Sequence, residues 1–159
     1  MTKHASLILL LASCAVAQQP AAKQEVPDNI SEHAAPQQPV PFSHKRHLAM
    51  GLGCRQCHTN PDPGAQMTLP AVAICMTCHE TITQPIPWVR VYQLTPGVTW
   101  THRKHLQAGM QCVMCHGDVS RVDAVSQTTS VLSMASCISC HQAHKVSTAC
   151  ATCHAWPAP

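Results

Sequence analysis

Five times this chain sets two cysteines three positions apart with a histidine directly after the second. The copies are Cys54-Arg-Gln-Cys57-His58, Cys75-Met-Thr-Cys78-His79, Cys112-Val-Met-Cys115-His116, Cys137-Ile-Ser-Cys140-His141 and Cys150-Ala-Thr-Cys153-His154. They use ten of the eleven cysteines. Two intervening residues put both thiols on one helical turn, within reach of two adjacent vinyl groups on one porphyrin edge. The following imidazole then points at the iron. This is the spacing of covalent c-type haem attachment, and it predicts five haem c groups with these histidines as proximal ligands. Zinc also binds Cys-x-x-Cys pairs with histidine, and cysteine-rich short chains are often disulfide scaffolds. Neither has a reason to demand histidine immediately after the second cysteine every time.

The remaining histidines are His4, His33, His44, His47, His102, His105 and His144. The first two precede the motif-bearing region, so five remain for five irons that each lack a ligand on the far side. His44, His47, His102, His105 and His144 are therefore the candidate distal ligands. Met134, three residues before Cys137, is the alternative to His144, and a methionine there would raise that haem's potential. Met50, Met67, Met76, Met110 and Met114 read as apolar filler against porphyrin faces.

The motif region also repeats itself imperfectly at an offset of 58. His44, His47, Leu48, Gly51, Cys54, Cys57 and His58 correspond to His102, His105, Leu106, Gly109, Cys112, Cys115 and His116. A second motif follows in each part and a fifth ends the second part, an arrangement of two plus three haems joined by residues 80–101. Short helices are expected at 44–50 and 102–108, closed near Gly51 and Gly109. Helical turns are expected within 71–81 and 131–141, and Trp88–Tyr92 alternates weakly as an extended segment would. The expected fold is a few short α-helices in mostly coil, built around haem.

The chain opens with Lys3 and His4 ahead of the apolar run Leu7–Leu11, as an export signal does. The apolar stretch to Ala17 is too short to span a bilayer. Leu11-Ala12-Ser13-Cys14 resembles a bacterial lipobox. That resemblance implies residues 1–13 as the signal, cleavage before Cys14, and acylation of Cys14; the alternative is a plain signal peptide with an incidental cysteine. Residues 14–41 carry Pro20, Pro27, Pro36, Pro39 and Pro41 with no apolar periodicity, and read as a disordered tether. Residues 42–159 form the haem domain.

Those 118 residues carry five motifs, fewer than 24 residues for each. One Phe, one Tyr and three Trp supply little mass for an ordinary core. The porphyrins must provide the apolar area that folding needs. From residue 42 onward eight Lys and Arg face four Asp and Glu. Ionised propionates would cancel that excess, so the basicity is no sign of nucleic-acid binding. The pairs Lys45-Arg46 and Arg103-Lys104 suit propionates.

The run Phe42-Ser43-His44-Lys45-Arg46-His47 ahead of Cys54–His58 resembles the small multihaem cytochromes c of class III, including the three-haem c7 kind. That resemblance implies that the two histidines of each His-x-x-His serve different haems: His44 the haem of Cys54 and Cys57, His47 a later one, with His102 and His105 acting likewise. Residues 42–154 are also similar to the pentahaem subunit of alternative complex III, a bacterial quinol-oxidising complex. The shared features are five motifs, two His-x-x-His elements, "WVRVYQL" before the second, "CHG" at 115–117 and a Met shortly before the fourth motif. The function expected is a periplasmic pentahaem electron carrier, tethered to a membrane of the bacterial envelope by its lipid. Its partners would be redox proteins, a membrane quinol oxidoreductase or another cytochrome. The alternatives are a subunit of a quinol-oxidising complex and a multihaem reductase with one open haem. No Cys-x-x-Cys-Lys motif is present to suggest the latter.

Overall fold

A computed structural model describes residues 34–127 and 131–155. The signal segment, Cys14, His4, His33 and most of the expected tether lie outside the described residues. Seven short helices occur in order: α1 (His44–Ala49), α2 (Cys54–Cys57), α3 (Val72–Met76), α4 (His102–Gln107), α5 (Val113–His116), α6 (Met134–Ala143) and α7 (Cys150–Cys153). A 3-10 turn at Val119–Arg121 follows α5. Among the described residues there is no strand, only an isolated antiparallel bridge between Val98 and His154. Trp88–Tyr92 is irregular rather than a strand. No helix of the described residues is long and apolar enough to cross a membrane.

The two longer expected helices form where their caps dictate. Ser43 opens α1 by accepting from the Arg46 backbone N–H, and Thr101 opens α4 by accepting from that of Arg103. Each helix runs six residues and stops before a glycine. Gly51 (φ 85°) and Gly109 (φ 86°) take the left-handed conformation that a side chain would resist. Their backbone N–H groups return to Leu48 and Leu106 carbonyls at 3.0 and 3.1 Å.

Three of the five Cys-x-x-Cys-His motifs form their own one-turn helix, and the second makes a turn at the end of α3. In α2 and α7, and in the turns after α3 and at α5, the backbone N–H of the motif histidine donates to the carbonyl of its first cysteine at 2.8–2.9 Å. The fourth motif instead lies inside α6, which Ser133 caps.

No apolar side chain among the described residues is buried. A domain of this size normally buries well over half of the surface its unfolded chain exposes, most of that gain being apolar. The polypeptide is a thin shell of turns, with Met134 68% exposed and Met76 44%. Its hydrogen bonds between distant segments are few and specific. The end of the expected tether is one such tie: the Gln38 amide donates to the Val89 carbonyl at 2.9 Å and accepts from its N–H at 3.0 Å.

Candidate haem-binding site

Histidines from separate motifs and helices meet in facing pairs. The ring centroids of His47 and His79 are 6.2 Å apart, those of His105 and His141 6.3 Å, and those of His102 and His116 6.4 Å. Two imidazole nitrogens at about 2.0–2.1 Å from one metal, each with its ring centre roughly 1.1 Å behind, put the centroids about 6.2–6.4 Å apart. The observed separations therefore suit one iron between each pair. Among the described residues no three His, Cys, Asp or Glu converge on a point that could hold a bare ion. Two trans imidazoles are what a porphyrin iron still needs, since the macrocycle fills the four equatorial positions.

The rings are aimed by their other nitrogen. Nδ1 donates to a backbone carbonyl in His47 (Ser43, 2.7 Å), His58 (Thr68, 2.8 Å), His102 (Ala65, 3.0 Å), His105 (Thr101, 2.9 Å) and His141 (Ser147, 3.0 Å). Each bond sets the tautomer that leaves Nε2 as a bare lone pair, the form that binds a metal. In α1 and α4 the acceptor is the N-cap carbonyl one turn back, so the bend that starts the helix also orients the ligand.

Two aromatic residues complete the clamp. Phe42 lies flat on His47 (4.4 Å, 18°) and meets His44 edge on (4.9 Å, 82°). Trp100 lies flat on His105 (5.1 Å, 23°) and meets His102 edge on (4.2 Å, 82°). Their roles were open to discovery from sequence, because Phe42 and Trp100 correspond at the same offset of 58. The carbonyls of Thr68, Ala65 and Ser147 carry no such signal, since any residue supplies a carbonyl.

Burial lowers the pKa of His44, with His58 the next cause, so these two rings also influence one another. The His44 Nδ1 is buried without a partner. His116 is pushed down to about 4, by burial first and then by His102 and His58 beside it. His102 is lowered chiefly by burial. All three are held neutral at pH 7, as metal ligation requires.

No disulfide joins the ten described cysteines, which leaves each thiol available for a thioether bond. Burial is the first cause that raises the pKa of Cys54, Cys57, Cys115 and Cys137, and neighbouring thiols add to it.

The fifth motif differs. His154 and His144 are both exposed, and neither makes a ring contact among the described residues. Met134 is exposed as well. Arg103, expected near a propionate, forms its ion pair with Asp62.

The comparisons agree with the site. Residues 19–94 match the model of the class III cytochrome c family, and residues 98–155 match that of cytochrome c7 and related cytochromes c. The chain is a small multihaem c-type cytochrome, a class of electron carrier with covalently bound haem. It is also 29% identical to the multihaem cytochrome c subunit of the menaquinone reductase of Nitratidesulfovibrio vulgaris strain Hildenborough, over 55% of each chain. It spans about half the length of that relative.

Proposed function

We propose that the chain carries five haem c groups and works as an electron carrier on the periplasmic side of a bacterial membrane, tethered through acylated Cys14. The thioether residues are Cys54, Cys57, Cys75, Cys78, Cys112, Cys115, Cys137, Cys140, Cys150 and Cys153. His58, His79, His116, His141 and His154 are the proximal ligands. His44, His47, His102 and His105 are the distal ligands opposite the first four, with His144 or Met134 left for the fifth.

The observation that carries the reading is the three imidazole pairs at 6.2–6.4 Å. When bound, haem supplies a one-electron iron couple. The protein's own part is to hold ligands still: carbonyls fix Nδ1, and Phe42 and Trp100 brace ring faces. Rigid ligands of one type in both oxidation states keep the rearrangement on electron transfer small.

A second reading is supported by the relative that is a menaquinone reductase subunit. The chain would then serve as the haem subunit of a quinol-linked membrane complex, handing electrons between that complex and another redox protein. The resemblance to the alternative complex III subunit favours the same direction.

Haem quantification with electron paramagnetic resonance on the holoprotein tests the main reading. Five haems per chain with low-spin ferric signals dominating are expected; a zinc-loaded or colourless protein would refute it. Membrane subunits retained through purification would select the complex over a free carrier. A spectral shift at one haem on adding cyanide or nitrite would instead favour a reductase with an open fifth site.

A further inference from the structure

The sequence numbers the haem motifs one to five, but the polypeptide joins their sites in another order. Helix α1 carries His47, which faces His79 of the second motif, and leads through the Gly51 turn directly into the first motif, the Leu52 N–H donating to the His47 carbonyl at 3.4 Å. One helix of under two turns therefore serves sites one and two. Helix α4 does the same for sites three and four, with His102 facing His116 and His105 facing His141.

The two helices are cross-tied at their starts. The backbone N–H groups of His44 and Lys45 donate to the Asp123 and Val122 carbonyls at 3.3 and 3.0 Å, just after the third motif, and Ser43 hydrogen-bonds to the Asp123 carboxylate. In return, Arg103 N–H and the Thr101 hydroxyl donate to the Gly64 carbonyl at 3.1 and 2.8 Å, just after the first motif. The His102 ring is held there too, by the Ala65 carbonyl. Each His-x-x-His helix is thus anchored on the loop that leaves the other's first motif. That reciprocal anchoring puts sites one and three side by side.

Site five hangs on site four. The Ser147 carbonyl that orients His141 belongs to the loop leading into α7, and the Ser147 hydroxyl pairs with Thr152 at 3.0 Å. The Thr99 N–H, directly before Trp100, donates to the Cys153 carbonyl at 2.7 Å.

We propose that the five sites form one unbranched row in the order of His79, His58, His116, His141 and His154, so that redox partners meet the protein at its second and fifth motifs. The proposal rests on the haem reading above. Exposure follows the row: His79 and His154 are exposed, while His58, His116 and His141 between them are half-buried.

Nuclear magnetic resonance on the fully reduced, diamagnetic holoprotein tests the order, with each haem assigned through its thioether cysteines. Cross-relaxation between haem substituents of sites one and three is expected, with none between sites two and three. Contact between sites two and three without contact between one and three would overturn the row while leaving the haem reading intact. Absence of covalent haem would overturn both.

Discussion

The rings of His102 and His116 face each other nearly parallel, 4° between planes and 6.4 Å between centroids, although fourteen positions separate them in the chain. If His102 and His116 hold one iron as proposed, replacing His102 by Ala would take one axial ligand from one haem. The expected result is one high-spin signal in place of a low-spin one in paramagnetic resonance, with haem content unchanged. Replacing it by Met keeps the iron low-spin and raises that one potential. An unchanged spectrum in His102→Ala would remove His102 from the ligand set.

Trp100 braces two ligands at once, His105 by its face and His102 by its edge. Trp100→Leu is expected to cost about 0.5–1.5 kcal/mol beyond the lost area. It should also shift the haem-methyl resonances of sites three and four while sparing the other three. Trp100→Phe should restore most of both. A uniform loss of stability without selective shifts would make Trp100 mere packing.

Thr101 caps α4 and also donates to Gly64 at 2.8 Å. Thr101→Ala loses a cap worth about 1 kcal/mol and a hydrogen bond worth roughly as much again. Thr101→Ser keeps both. Denaturant midpoints of the two variants should differ accordingly; equal midpoints would deny the cap its role.

Acid should loosen the domain over a defined window. Burial pushes the bare His116 imidazole down from 6.5 to about 4, and an iron held there would occupy the nitrogen that a proton needs. As pH falls below 6.5 the unfolded chain takes up a proton that the folded one refuses. The stability is therefore complete above 6.5 and declines as pH falls below it. His44 and His102 are lowered too and act in the same direction. Unfolding midpoints at about pH 7, 5.5 and 4.5 should decline in that order. A flat or rising series would contradict the burial of His116.

Without haem the domain should not fold, because none of its described apolar side chains is buried by protein alone. Chain produced without haem attachment is expected to give a coil-like circular dichroism spectrum and rapid proteolysis. A protease-resistant apo-domain would refute the expectation.

Much of the site is legible in the residues because covalent haem attachment is a local event. Two thiols and an imidazole within five positions define it, and the glycine signals at Gly51 and Gly109 place the ends of the ligand helices nearly to the residue. Counting histidines also found the rings that face His79, His116 and His141. The same count made His144 a candidate ligand, with Met134 as its alternative, without saying which haem either would serve, since counting carries no geometry. Trp88–Tyr92, whose weak alternation suggests an extended segment, joins no strand among the described residues; the Gln38 side chain holds the Val89 backbone instead.

The amino-acid sequence by itself set the candidate attachment residues: ten thiols and their adjoining histidines, at spacings that a short helical turn satisfies. Which far histidine meets which near one, and which sites are neighbours, was decided only in three dimensions. Those relations depend on carbonyls such as Ala65 and Asp123 that accept from distant segments. A backbone carbonyl is the same in every residue, so its partner is chosen by the path of the chain and leaves no mark in the sequence.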